Sequence, residues 1–517
     1  MQFTKEPNLQ QYSMSATRFV GLVERRRHLI LVLWIGCCLA ALVARPGESL
    51  ELVLIGAAGA AAWVGAKAML DDWFMLGMSA LCFLIPLQAT WPARAYEAIL
   101  LPPDPLVASL LSVPSLGLVA VCIAWVRRPH RRPPILLVAA GLAAVAGAVL
   151  SSVASLSVSS ASADSWSGIG IPVTLALVAA TTLTYREAWA LLRVTISASL
   201  VPAVVAIAAY VLSFGVPLSV ASLVTVKMAL VRPHLIQDLT FGNIGHLAVF
   251  AMLVLPAALM LVATEVSPSR RLVSAIAPAS LLFVVVATLS RSVIVVVILV
   301  LALMSVALLV SPGRRRMPYL LVPLSILVGV VLTPPFRDSF AGLLPAAAAL
   351  LRTSAPTAVP TAVPTAVPTA VPTAVPTTDE SAALRVQAIK GGLAIYWAHQ
   401  PWGVGSGQFP RYDEAHTASH SLLVDLLAEN GLPGAIGFVL LAAFVVGVAI
   451  RAVRERNRLD IFALRMACLG GAASFLADGL LAGAPLALGS VNTWGCLLWL
   501  FAGMASVNTG PTPGVPQ

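Results

Sequence analysis

Charged residues are scarce in this 517-residue chain: they make up 10% of it, whereas 59% is hydrophobic and the mean hydropathy is +0.92. So little charge excludes an ordinary soluble domain. Apolar runs of about 18 to 25 residues recur along the chain, and each is long enough to cross the hydrocarbon core of a bilayer. The sequence therefore predicts an all-α polytopic membrane protein with about 12 to 14 transmembrane helices.

Cysteine is also scarce, and its placement excludes two kinds of site. All six cysteines lie inside apolar segments, so neither a disulfide framework nor a thiolate zinc site is indicated. A small-residue cleavage site is lacking as well, because the polar and basic first 28 residues lead directly into the apolar segment 29–44. We expect this segment to be retained as a helix.

The apolar segments number about fourteen. Their approximate positions are 29–44, 50–70, 73–90, 106–126, 134–151, 168–184, 189–213, 242–263, 272–289, 292–310, 318–334, 433–450, 461–482 and 484–506.

The net charge of +10 raises the possibility of a nucleic-acid partner, but basic loops beside membrane helices are the usual cause of such a balance. Alternation of the helices places every dense basic loop on one side. These loops contain Arg25–Arg27, Arg127–Arg132, Arg270-Arg271, Arg314–Arg316 and Arg451–Arg465. The distribution predicts cytoplasmic termini, with the region 335–420 outside, and it removes the main argument for nucleic-acid binding.

The apolar stretch from Leu272 to Val310 contains a single charge, Arg291, and is too long for one membrane crossing. We predict a turn at Ser290-Arg291, with Ser290 as the helix cap. Arg291 would then stand at a helix N-terminus on the outer face, which favours the binding of an anion.

Two outside regions are long enough to do more than connect helices, namely 214–241 and 335–421. The second contains P-T-A-V five times from Pro356, a pattern typical of a solvated, extended spacer. A helix is predicted at Ser381–Trp397, and the loop Gly403–Gly407 fits a tight turn better than a nucleotide site.

These features divide the chain into five parts. They are the N-terminal transmembrane helices (1–240), the core helices (241–334), the large outside loop with the repeat at 356–377 (335–432), the C-terminal helices (433–506) and a disordered tail (507–517).

The stretch Thr417–Gly434 ends the longest polar region and leads into a membrane helix. Its centre is His420, and histidine is the type of side chain suited to act as a general base near neutral pH. An alternative is a metal site, because His416 precedes His420 by four residues, but the glutamate of the H-E-x-x-H pattern is absent. On a helix that begins near Ser421, Asp425 and Glu429 share a polar face.

The order of these motifs resembles the O-antigen ligase and O-antigen polymerase superfamily. The resemblance is carried by A-I-Y-W-A-H-Q-P-W-G-V-G-S-G-Q-F from Ala394, then His420-Ser421, Gly431 and Gly434, with F-G-N-I-G-H-L-A from Phe241 and T-L-S-R-S from Thr288. It covers roughly residues 240 to 450. Ser421 replaces the asparagine that is frequent in the family.

The resemblance implies transfer of a glycan from undecaprenyl pyrophosphate to an acceptor hydroxyl, at the periplasmic face of the bacterial inner membrane, without a metal or nucleotide cofactor. The acceptor would be lipid A-core in a ligase, a second lipid-linked repeat unit in a polymerase, or a protein hydroxyl in a related group. His420 would be the general base and Arg291 the principal pyrophosphate ligand. Further substrate-binding residues would be Arg232, Arg385, Ser421 and Asn243.

Two readings of another class stay open at this point. A transporter or lipid flippase is favoured by the number of helices and by the intramembrane Asp478, and disfavoured by the scarcity of other charges within the apolar segments. A non-catalytic anchor within a polysaccharide assembly is the other reading.

Overall fold

The computed structural model describes residues 73–87, 104–214, 244–288, 290–310, 316–333, 378–413, 416, 418–419, 421–482 and 493–507. In these ranges the chain is helical and has no β-strand. The predicted segments 29–44 and 50–70, the loop 214–241 and the P-T-A-V repeat lie wholly or almost wholly outside them, as does the tail from 508.

The helices are numbered in chain order. They are α1 Trp73–Leu87, α2 Pro105–Leu111, α3 Val113–Trp125, α4 Ile135–Ala154, α5 Val158–Ser165, α6 Ile171–Thr182, α7 Tyr185–Phe214, α8 Ile244–Thr264, α9 Pro268–Thr288, α10 Arg291–Leu309, α11 Pro318–Leu332, α12 Thr378–His399, α13 Phe409–Tyr412, α14 Leu422–Arg454, α15 Leu459–Ala482 and α16 Thr493–Ala505. A π-helical turn, Trp166–Gly170, joins α5 to α6.

Eight stretches of the described chain are long and apolar enough to cross a membrane, and the bent pair α2 and α3 adds a ninth if it forms one span. The all-α polytopic fold is therefore confirmed. Helix α8 lies at the centre, almost entirely buried, and packs against α9 and α15. Around this core, α16 packs on α6, and α7 packs on α1.

One predicted boundary was wrong. The helical stretch predicted at 168–184 begins at Val158, because the π-helical turn continues the helix through Gly168 and Gly170. The helix predicted to begin near Ser421 is confirmed as α14, which begins at Leu422 and includes the segment predicted at 433–450. Gly431 and Pro433 would ordinarily end a helix there, yet the chain only kinks at Gly431 and continues.

The predicted turn at Ser290-Arg291 is confirmed, since α9 ends at Thr288 and α10 begins at Arg291. Ser290 occupies the N-cap position with extended backbone, but its side chain makes no capping hydrogen bond. The predicted cap position is therefore confirmed, and the backbone donors of the first turn of α10 are left to partners other than the Ser290 hydroxyl.

Small residues bring α4 and α14 into close, antiparallel contact. A Cβ atom added at Gly147 would lie 2.5 Å from the Gly434 nitrogen, and one added at Gly437 would lie 2.7 Å from the Ala144 nitrogen. Because larger side chains would push the backbones apart, these positions fix how the two helices meet. The C-terminal end of α4 thereby lies beside the first turns of α14.

Candidate active site

Two of the predicted pyrophosphate-binding arginines are neighbours. Arg291 is the first residue of α10, Arg385 lies in α12, and the two guanidinium groups are close enough to act on each other electrostatically. Like charges at short range are unfavourable unless an anion or a carboxylate lies between or beside them. The pair therefore provides a local positive charge suited to a phosphate group.

Asp478 belongs to the same cluster. It lies one turn before the C-terminal end of α15 and is 1% exposed. It shares a side-chain hydrogen bond with Ser292 and interacts electrostatically with Arg385. Its Oδ1 atom has no hydrogen-bond partner among the described residues. A signal for this site was present in the sequence, because a carboxylate in an apolar helix usually marks function. From the sequence alone, this carboxylate favoured a transporter or lipid flippase.

His420 itself lies outside the described residues, but the residues on either side of it are fixed. Ser419 is fully buried, and its backbone N–H donates to Asp425 Oδ1 at 2.6 Å. The Ser419 hydroxyl donates to the Ser421 carbonyl at 2.9 Å and accepts from the Ser421 N–H at 3.2 Å. These bonds attach the backbone on both sides of position 420 to the start of α14.

Ser421, predicted to bind substrate, is the N-cap residue of α14. Its carbonyl accepts the Asp425 N–H at 2.8 Å, while its side chain makes no capping bond. Asp425 on the first turn accepts the Ser419 N–H, which ties the backbone before the helix to its first turn. The helical spacing of the sequence places Asp425 on a polar face with Glu429 but does not predict this backbone contact.

The loop 401–407 supplies hydrogen bonds that the kink in α14 leaves unmade. Pro433 has no N–H to donate to the Glu429 carbonyl, which instead accepts the Gly405 N–H at 2.8 Å. The Leu432 N–H donates to the Pro401 carbonyl at 2.8 Å, and the Ala428 carbonyl is then satisfied by the Val404 N–H at 2.9 Å. The glycine-rich loop is thus a structural part of α14.

Glycines are required at this junction. Gly403, Gly405, Gly407 and Gly431 all have positive φ, at 78°, 104°, 70° and 66° respectively. A Cβ atom at Gly405 would lie 2.8 Å from the Ser155 Cβ, and one at Gly431 would collide with the Pro401 carbonyl oxygen. The predicted tight turn is confirmed, and it is packed against α14 on one side and the end of α4 on the other.

A chain of buried hydroxyls joins the loop to α4 and α5. The Ser406 hydroxyl donates to Asn430 Oδ1 at 2.9 Å and accepts from the Ser165 hydroxyl at 2.9 Å. Ser165 lies 2.9 Å from the Ser152 hydroxyl in α4. Each of these polar groups has a partner, so the chain holds the loop in one position against the bundle.

The shared face of Asp425 and Glu429 is turned towards this loop. Asp425 is 7% exposed, and Glu429 Oε1 accepts the Phe409 N–H at 3.3 Å. Ile395, Val404, Phe409 and Ala428 form a small apolar core of their own between α12, the loop and α14. Asp425 therefore holds the backbone beside position 420, and Glu429 holds the start of α13.

The remaining predictions concern Arg232, Asn243 and the alternative metal site at His416. Arg232 and Asn243 lie outside the described residues. His416 pairs with Asp413, at 2.9 Å between Nδ1 and Oδ2, and both are partly buried. Within the described ranges no group of three or more His, Cys, Asp and Glu side chains is arranged to hold a metal ion.

Comparison with known proteins gives one family for this region. Residues 276–439 match the family model described as O-antigen ligase, and none of the curated proteins matches the chain. The matched part extends from the middle of α9 to the middle of α14, so it contains Arg291, Arg385, His420 and Ser421, while Asp478, Arg232 and Asn243 fall beyond it. The chain is therefore an all-α membrane protein, about a third of which, residues 276–439, is similar to the O-antigen ligase family.

Proposed function

We propose that this protein transfers a glycan from undecaprenyl pyrophosphate to the hydroxyl of an acceptor at the outer face of the bacterial inner membrane, and that the acceptor is lipid A-core. The observation that carries the proposal is the cluster of Arg291, Arg385 and Asp478, with Ser292, inside and beside the region that matches the O-antigen ligase family. Its members come from α10, α12 and α15.

The arginines would act on the leaving group. As the bond between the anomeric carbon and the phosphate oxygen breaks, negative charge grows on the pyrophosphate, and two guanidinium groups stabilise it through charge-assisted hydrogen bonds. Asp478 would offset the repulsion between Arg291 and Arg385 when no donor is bound and would hold Arg385 in orientation. Arg232 and Asn243 remain candidates for contacts with the glycan.

His420 would act on the acceptor. In its neutral form the imidazole accepts the proton of the acceptor hydroxyl as that oxygen attacks the anomeric carbon from the side opposite the leaving pyrophosphate. The new glycosidic bond is then inverted relative to the donor. The support for this role is the fixed backbone at Ser419 and Ser421, because a general base must be held within hydrogen-bond reach of its proton.

Purified protein incubated with a lipid-linked glycan tests the proposal and separates the ligase from the polymerase. With lipid A-core present, a ligase produces glycan linked to lipid A-core and consumes one donor for each product. A polymerase lengthens the donor glycan without any added acceptor. Absence of both products from folded protein that binds the donor would contradict glycosyl transfer.

The transport alternative was based on the number of helices and on Asp478. A transporter needs polar residues along a path through the midplane, whereas Asp478 lies near the C-terminal end of α15, next to Ser292 in the first turn of α10. At that position the carboxylate supports a site at the mouth of the bundle. Flipping of labelled lipid by reconstituted protein, unaffected by Asp478→Asn, would favour transport instead.

A further inference from the structure

A second site lies at the opposite end of α4. A cavity of about 420 Å³ opens between α3, the start of α4 and α6, with Trp125, Val138 and Leu177 in its wall and His130 and Arg131 at its edge. A volume of this size accepts several methylene groups of a lipid chain, and its wall is mainly apolar.

The wall and edge of the cavity are held together by hydrogen bonds. Thr181 in α6 accepts the Trp125 indole N–H at 3.0 Å through its hydroxyl and the Arg131 N–H at 2.8 Å through its carbonyl. The His130 ring packs edge to face on Trp125, with 4.3 Å between the centroids. Since the polar groups of the wall are paired with each other, the interior is suited to hydrocarbon.

The edge of the cavity is strongly basic. The segment 127–132 contains four arginines and His130. Arg128 is engaged within the protein, 2.8 Å from Glu187 Oε1 and over the Phe74 ring, whereas Arg127, His130 and Arg132 are exposed. Positive charge therefore collects beside an apolar cavity, which matches the two parts of an anionic lipid.

The surroundings indicate the depth of a membrane surface. Among the described residues Val126 is 69% exposed and Ile135 83% exposed, so exposed apolar side chains flank the basic segment on both sides. In a membrane protein such residues face lipid, and arginines next to them lie at the level of the headgroups. The cavity is then reached from the bilayer and not from bulk water.

This cavity is distinct from the candidate active site. Gly405 of the glycine-rich loop contacts Ser155, just beyond the C-terminal end of α4, whereas Arg131 and Pro133 precede its N-terminal end. A helix of 20 residues is about 30 Å long. The two sites therefore lie on opposite faces of the membrane, and the glycan donor of the proposed reaction does not account for this cavity.

We propose that the cavity binds one anionic phospholipid, with an acyl chain against Trp125, Val138 and Leu177 and the phosphate at Arg131 and Arg132. The apolar wall alone would accept any lipid, and the arginines alone would attract any anion. Their combination selects an anionic lipid over a zwitterionic one.

Native mass spectrometry of the full-length protein in mild detergent tests this. Phosphatidylglycerol and phosphatidylcholine with the same acyl chains are added separately, and the fraction of protein that retains one lipid is measured. We expect phosphatidylglycerol to be retained about tenfold more strongly, with this preference lost in Arg131→Gln/Arg132→Gln. Leu177→Trp, which fills the cavity without a change of charge, should weaken retention of phosphatidylglycerol as well.

A matched control is Arg451→Gln/Arg454→Gln, which removes two exposed arginines at the end of α14 that lies on the same side as the start of α4. Equal loss of phosphatidylglycerol in this control would overturn the proposal, as would full retention in Leu177→Trp. Displacement of the lipid by inorganic phosphate alone would assign the arginines to a free anion and would also overturn it. Should Leu177→Trp fail to fold, Val138→Trp fills the same cavity from α4.

Discussion

At the scale of single residues, the feature that bears most on function is the pair of arginines, Arg291 and Arg385. Arg291 and Arg385 interact electrostatically although both are positive, and Asp478 interacts with Arg385. Two guanidinium groups that act on one another can also share a bound anion through charge-assisted hydrogen bonds. Their juxtaposition therefore suits the pyrophosphate of the proposed reaction.

We expect Arg291→Ala to abolish glycan transfer and Arg291→Lys to recover only part of it, because lysine keeps the charge but loses the planar fork of donors. Loss of one transition-state donor costs about 2 to 4 kcal/mol. Product formation from a lipid-linked glycan measures the effect, with Arg451→Ala, an exposed arginine at the far end of α14, as the control. Transfer at the wild-type rate by folded Arg291→Ala would move the pyrophosphate to Arg385 or Arg232.

For His420 we expect an alanine substitution to leave donor binding intact and to slow transfer by about 10² to 10⁴-fold, which is the usual contribution of a general base. His416→Ala should cost far less, because His416 is already paired with Asp413. A chelator should have no effect. Equal losses in both histidine variants, together with inhibition by chelator, would replace the base by a metal site.

Substitutions at Asp425 test whether the backbone beside His420 must be held in place for catalysis. Asp425→Ala removes the acceptor of the Ser419 N–H, and we expect kcat to fall by up to about 100-fold with little change in KM, since the backbone beside His420 loses its anchor. Asp425→Asn keeps an oxygen that accepts the same hydrogen bond and should retain most of the activity. If the asparagine variant were as slow as the alanine variant, the carboxylate charge would matter and not the anchor.

At the scale of elements, the kink of α14 decides the shape of the site. Gly431 has φ 66° and ψ −166°, a region open in practice only to glycine, and any Cβ there would meet the backbone of Pro401 and Trp402. The kink leaves the Ala428 and Glu429 carbonyl groups of α14 without helical donors. The loop 401–407 supplies two N–H groups that donate to them. The loop therefore stays attached only while the kink keeps its geometry.

We expect Gly431→Ala to destabilise the protein by about 1 to 3 kcal/mol and to release the loop. Gly447→Ala is the matched control in the same helix, because a Cβ there meets nothing within 4 Å and removal of a glycine from a helix interior is favourable. Thermal unfolding in detergent and limited proteolysis between 399 and 413 measure both effects. Unchanged melting and proteolysis in Gly431→Ala would show that the loop is held by other contacts.

Local patterns in the sequence predicted the membrane helices, the break at Ser290-Arg291 and the tight turn at Gly403–Gly407, because each follows from composition or from backbone chemistry over a few residues. The partnership of that turn with Pro433 could not be predicted in this way. It depends on which carbonyl lacks a donor after the helix has kinked, which is a property of the folded chain. Asp478 illustrates the same point. The sequence shows a carboxylate within an apolar helix, but it does not show that Arg385, from a distant part of the chain, lies near it.

At the scale of the whole molecule, the two proposed sites require a definite orientation. The loop 401–407 lies at one end of α4 and the basic segment 127–132 at the other, so the two occupy opposite faces of the membrane. Basic segments remain on the cytoplasmic side during insertion. The orientation proposed here therefore puts the glycine-rich loop outside, on the side where the proposed reaction would consume lipid-linked glycans.

We therefore expect Thr365→Cys, in the P-T-A-V repeat, to react with a membrane-impermeant thiol reagent in intact cells, and Asn457→Cys, in the basic turn after α14, to react only after the inner membrane is permeabilised. The two positions lie on opposite sides of α14 in the chain, so they report on its direction independently of the other helices. A variant without the native cysteines provides the background. Labelling of Thr365→Cys only after permeabilisation would reverse the orientation, and the arginine cluster would then face a compartment without the proposed acceptor.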